Sequence, residues 1–158
     1  MKLLRIGNLG KERPAALDND GIFRDLSSII KDLDPENLNF KTLSKLQELD
    51  LSSLPEIPKN ERIGSCISKP GKFIAIGLNY SDHAAEAGLK VPTEPIIFMK
   101  ATSSICGPYD NIEIVSGSKK LDWEVELGII IGKDAKHISQ EDSRSHILGY
   151  CLVNDLSE

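Results

Sequence analysis

Apolar positions recur along this chain with two different periods, and the change between them divides the sequence. Lys2 to Ile6 is a short extended run, and Asn19-Asp20-Gly21 is a turn signal between two extended stretches. From Ile22 to Leu33 the spacing becomes helical, with Leu26, Ile29, Ile30 and Leu33 on one side. A second helix is predicted where Leu43, Leu46 and Leu49 recur every three residues. Ser52 to Asn60 is short, polar and broken by Pro55 and Pro58, which reads as a linker. A domain boundary is therefore expected between Leu51 and Pro70.

Beyond that boundary the pattern is mostly β. Strands are predicted at Phe73–Ile76, Ile96–Met99, Ile112–Val115, Asp122–Ile131 and Ile147–Val153. A short helix starting near Ser81 follows Gly77-Leu78-Asn79-Tyr80, and Ser139 to Ser145 reads as one or two helical turns. The expected class is mainly β with α+β elements: a small N-terminal α+β domain with its linker over residues 1–65, then a second domain over 66–158. Glu158 follows the last strand so closely that the second domain is expected to be truncated at its C-terminus.

Composition narrows the options. Hydrophobic residues make up 40% and charged residues 27% of 158, close to globular averages, so wholesale disorder is excluded. A net charge of -5 argues against nucleic-acid and membrane-surface partners, and no apolar run is long enough to cross a bilayer. Cys66, Cys106 and Cys151 are odd in number and far apart, with no C-x-x-C pair, which fits reduced thiols in a cytoplasmic protein.

The clearest chemical pattern is Asp122-Trp123-Glu124-Val125-Glu126-Leu127. In a strand, Glu124 and Glu126 project from one face about 7 Å apart, while Trp123, Val125, Leu127, Ile129 and Ile131 form an apolar stripe on the other. Two like charges so placed are held by a hard cation or screened by water. A metal-ligand pair and a solvated strand face are thus both open readings. In Asp82-His83-Ala84-Ala85-Glu86, the carboxylate and the imidazole are i, i+3 neighbours on a helix. Such a pair is either an ordinary exposed one or an oriented base able to take a proton from water. Asn154-Asp155 is either a routine turn or the source of a third carboxylate. Lys100, directly after an apolar strand, is an anion-binding side chain or a strand-end charge. His137 and His146 read as surface residues.

Taken in order, four of these segments closely resemble the fumarylacetoacetate hydrolase superfamily: G-L-N-Y-S-D-H-A-A-E (Gly77 to Glu86), P-I-I-F-M-K (Pro95 to Lys100), L-D-W-E-V-E-L-G-I-I-I-G-K (Leu121 to Lys133) and G-Y-C-L-V-N-D-L-S-E (Gly149 to Glu158). The stretch before them looks like the small leading domain of bacterial members, the acylpyruvate and 2,4-diketo-3-deoxy-sugar-acid hydrolases. The resemblance implies a rolled mixed β-structure, incomplete in this chain and homodimeric at full length. It implies that Glu124, Glu126 and Asp155 hold Mg²⁺ or Mn²⁺, with Ca²⁺ as a further option. By the same resemblance His83 and Glu86 activate water, while Lys100, Asn79 and Tyr80 contact an oxo-acid substrate. The implied reaction is hydrolysis of a C–C bond in an acylpyruvate-like 2,4-dioxo acid. Decarboxylation and keto–enol isomerisation on the same scaffold, or an inactive fragment, are the alternatives. Members of this type continue for roughly another hundred residues, so the chain alone is expected to expose apolar strand faces and to have little activity.

Overall fold

The computed structural model describes all residues from Met1 to Glu158. It divides into two compact units, Met1–Ser68 together with Cys106–Glu158, and Lys69–Ile105. The sequence reading took 1–65 and 66–158 as the two domains; in the structure residues 106–158 group with the N-terminal sheet, and 69–105 form a unit of their own.

In the first unit, β1 (Lys2–Ile6), β2 (Arg13–Leu17), β3 (Phe23–Asp25) and β4 (Glu56–Ile57) form one antiparallel sheet in that order. The Asn19-Asp20-Gly21 turn joins β2 to β3 as the sequence predicts. Asp18 Oδ1 accepts from the N–H groups of Asp20 and Ile22, and Gly21 takes the positive φ of 73°. Successive residues of β2 point to opposite faces, and both faces are covered. Ala16 packs with Leu26, Ile30, Leu33 and Leu46, whereas Ala15 packs with Ile6 and Ile57. The helix α1 (Phe40–Gln47) delivers Leu46, and Asn39 caps it by accepting from Thr42 N–H at 3.0 Å.

Three sequence expectations fail here. Ile22–Leu33 is not a helix: its first residues become β3, and the rest is a run of turns. Asp25 Oδ1 captures Ser27 N–H, and Leu26 N–H bonds Pro14 O, so strand pairing and an Asx turn take the donors a helix would need. Leu26, Ile30 and Leu33 still reach the core, which explains the helical spacing without a helix. Ser52–Asn60 is not a free linker, because Glu56–Ile57 closes the sheet edge and Ile57 is buried. Ile112–Val115 forms no strand; no partner strand pairs with it, and Ile114 and Val115 are exposed.

The same unit carries a long antiparallel hairpin, β7 (Val125–Ile131) with β8 (Ile147–Asn154). The ladder extends past β7 towards the N-terminus through reciprocal bonds between Asp122 and Ser157. In the second unit, β5 (Ile74–Gly77) pairs with β6 (Ile96–Met99), and the one-and-a-half-turn helix α2 (Ser81–Glu86) lies between them in sequence. No helix is long and apolar enough to cross a membrane.

Candidate functional site

The hairpin register decides what the acidic residues can do. Gly128 stands opposite Cys151 and Glu126 opposite Val153. The next step sets Glu124 opposite Asp155, confirmed by the Asp155 N–H bond to Glu124 O at 2.8 Å. Directly opposed residues of an antiparallel pair project to the same side. Glu124, Glu126 and Asp155 therefore share one face of the hairpin, each partly buried. Asn154 helps to set this end of the ladder, its side-chain oxygen accepting from Glu124 N–H at 3.1 Å. Asp155 Oδ1 is shielded from solvent.

In an antiparallel ladder opposed Cβ atoms lie about 5 Å apart and i, i+2 neighbours about 7 Å apart. Oxygen donors of this kind suit a hard cation. No three acidic, histidine or cysteine side chains are drawn together into a closed ligand group, however. The other face is the apolar stripe expected from sequence, and it is open: Trp123 is 70% and Leu127 61% exposed, with Val125, Ile129, Ile131, Tyr150 and Leu152 alongside.

Next to the carboxylates lies a residue that the sequence reading passed over. Cys151 occupies their face, and its Sγ sits so close over Gly128 that a Cβ there would come within 2.6 Å of it. The glycine makes room for the thiol. A glycine facing a cysteine across a hairpin is visible only once the register is known.

The remaining predicted residues belong to the second unit. His83 and Glu86 lie on α2, one turn apart and both exposed, while Ala84 between them is fully buried and holds that helix face inward. Within α2, Asp82 Oδ1 accepts from His83 N–H at 3.0 Å. Asn79 and Tyr80 lead into the helix from a turn where Leu78 has φ 48°, a left-handed conformation costly for a branched residue. That strain is the second feature no sequence signal announced. Lys100 follows β6, its backbone N–H bonded to Phe73 O at 2.9 Å. The structure thus gathers the predicted residues into two sets, three carboxylates on a hairpin face and a His/Glu pair with its flanking residues around a short helix.

Comparison with known proteins shows what the chain resembles. A relative from Burkholderia ambifaria (strain MC40-6), named only in general terms as a hydrolase, is 52% identical over all 158 residues; a second, from Burkholderia multivorans, is also 52% identical. The chain spans 56% of the length of each. Among solved structures, the fumarylacetoacetate hydrolase of Exiguobacterium antarcticum superposes with TM-score 0.77 at 28% identity, over 99% of this chain and 56% of that one. Maleylpyruvate hydrolase of Sphingobium sp. SYK-6, solved with a manganese(II) ion and pyruvate, gives 0.75 at 25% identity, over 99% and 58%. A 5-carboxymethyl-2-hydroxymuconate delta-isomerase of Mycobacterium smegmatis gives 0.68 at 27%, over 99% and 55%. Residues 72–158, which hold the hairpin and both sets of candidate residues, match the family model described as fumarylacetoacetate (FAA) hydrolase, C-terminal, and on that match the chain belongs to the fumarylacetoacetate hydrolase family.

Proposed function

We propose that this chain is the leading part of a divalent-metal-dependent hydrolase that cleaves a C–C bond in a 2,4-dioxo, acylpyruvate-like acid. The observation that carries the reading is the register of β7 against β8, which aligns Glu124, Glu126 and Asp155 on one face. Those three would hold Mg²⁺ or Mn²⁺; when bound, the ion supplies Lewis-acid polarisation of the oxo acid and stabilises developing negative charge. Glu86 orients the His83 imidazole, whose free ring nitrogen accepts a proton from water. The hydroxide equivalent adds to the distal carbonyl carbon. The adjacent C–C bond then breaks, its electron pair passing to the carbon next to the 2-oxo group, where a proton replaces the lost acyl group. Lys100 Nζ pairs with substrate negative charge, and Asn79 and Tyr80 contribute hydrogen bonds. The maleylpyruvate hydrolase likeness supports hydrolysis, and a homodimer is the proposed full-length state.

Isomerisation of a related oxo acid is a second reading, supported by the likeness to the delta-isomerase. A panel of 2-oxo and 2,4-dioxo acids separates the two. Hydrolysis releases pyruvate or a related oxo acid, whereas isomerisation shifts the enol absorbance with no change in mass. The metal is tested by calorimetric titration of Mn²⁺ into the chain and into a Glu124→Ala/Glu126→Ala double variant. Saturable binding in the first that disappears in the second is expected. Equal binding in both would remove the carboxylate face from the mechanism.

A further inference from the structure

Cys66 and Cys151 are 85 positions apart in sequence, yet their thiols are joined by a hydrogen bond. Both are unoxidised and partly buried, within reach of a small reagent. Each is held from more than one direction. Cys66 lies in a segment pinned on one side by Gly64 N–H to Arg5 O and on the other by Ser68 N–H to Leu33 O, both at 2.8 Å. Cys151 belongs to β8, with its sulfur seated over Gly128. Two thiols brought together by strands and anchors so distant in sequence are arranged for reaction with each other, because ordering them costs nothing further.

We propose that Cys66 and Cys151 form a thiol-modification site, in which Cys151 attacks a low-molecular-weight disulfide such as oxidised glutathione and Cys66 resolves the product into an internal disulfide. In the first step the Cys151 thiolate displaces one glutathione thiolate and forms a mixed disulfide. In the second, Cys66, having given up its proton, attacks the Cys151 sulfur and releases the other. The reagent is reduced by two electrons to two glutathione thiols, and the protein loses two hydrogens. The order of attack follows from the hydrogen bond. Donation from the Cys66 thiol brings Cys151 down to about 7, against the opposing effect of burial. That same bond, together with burial, pushes Cys66 far up. The pair sheds its first proton near neutrality and keeps the second. Glu124, Glu126 and Asp155 share the Cys151 face, and their negative charge opposes the thiolate, so the Cys66 bond is what sustains it.

The product ties the loop after the N-terminal sheet to the strand that leads into Asp155. Cys106, exposed and unoxidised, is the internal reference. The experiment exposes the 158-residue chain to oxidised glutathione at pH 7 and maps cysteine peptides by mass spectrometry without reduction. The expected result is a Cys66–Cys151 linked peptide, with Cys106 carrying at most glutathione. A Cys66→Ala variant should stop at the mixed disulfide on Cys151. It should also slow alkylation of Cys151 by iodoacetamide at pH 7 by about threefold or more, because the thiolate fraction falls by more than the nucleophilicity of a more basic thiol rises. Circular dichroism and thermal melting of the variant confirm that it is folded. Glutathionylated Cys106 with no linked peptide would overturn the proposal, as would an alkylation rate at Cys151 that ignores residue 66.

Discussion

The N-terminal sheet and the β7–β8 hairpin stand in opposite situations, and it is the hairpin strands, richer in Ile, Leu and Val, that are the less covered. The sheet is covered on both faces: Ala15 and Ala16, adjacent in β2, are both fully buried, in separate clusters. The hairpin is one-sided, with carboxylates and Cys151 on one face and exposed Trp123, Leu127 and Tyr150 on the other. Ion pairs follow the same division. Around the sheet, Arg5 is only 7% exposed and bonds Asp32 at 2.7 and 3.1 Å, while Arg62 joins Glu12 to Asp110. On the hairpin the three carboxylates Glu124, Glu126 and Asp155 share one face. Charge that is neutralised inside the chain builds structure. Carboxylates collected on one face are the kind of donor that a hard cation takes.

The sharpest way to break this comparison is a pair of truncations of the same residue type. Leu46→Ala should cost about 2–5 kcal/mol, because Leu46 is fully buried between α1 and the sheet. Leu127→Ala, on the open face, should change stability by no more than about 0.5 kcal/mol while reducing self-association. Urea melts and light scattering on both variants test this; equal destabilisation would mean that the hairpin face is covered in solution.

The ion pairs come next. Asp32→Asn leaves the buried Arg5 guanidinium without its bidentate carboxylate and should cost about 2–3 kcal/mol at pH 7. Burial pushes the Asp32 carboxyl upward, but the Arg5 bonds and Leu33 N–H outweigh it and hold the group below its ordinary value. Glu12 is held down in the same way, with Arg62 and Arg5 outweighing its burial. A depressed folded value means that the stabilisation is fully present above the unfolded carboxylate range, about pH 5, and is lost as pH falls through the folded values. The wild-type melting temperature should fall between pH 5 and 3. The Asp32→Asn variant should start lower and fall less steeply, and parallel curves would show that Asp32 is not among the groups responsible.

A smaller effect on stability sharpens the picture of how α1 is capped. Asn39→Ala removes the bond to Thr42 N–H and should cost about 1 kcal/mol, with Asn39→Asp retaining most of it. A variant indistinguishable from wild type would mean that Leu46 packing alone positions α1.

Much of this molecule is readable from local pattern. Alternation marks β7 and β8, the Asn-Asp-Gly turn marks the β2–β3 connection, and Leu at three-residue spacing marks α1. Each of these is set by interactions spanning a few residues. The errors occur where a distant strand decides. Ile22–Leu33 has helical spacing, but its backbone donors are taken by β2 and by Asp25, and Leu26, Ile30 and Leu33 are buried through turns instead. Glu56–Ile57 looks like linker until β3 presents an edge to it.

The candidate site divides in the same manner. Glu-x-Glu spacing already put Glu124 and Glu126 on one side, because a strand alternates whatever it pairs with. That Asp155 joins them, that Cys151 stands on their face above Gly128, and that Cys66 meets Cys151 across 85 residues depend on hairpin register and on where one loop is anchored. A register shift of one residue would send Asp155 and Cys151 to the apolar side. The sequence by itself determined the residue types and their local direction; only tertiary structure decided which of them meet, because pairing register is settled by contacts between segments that no local pattern encodes.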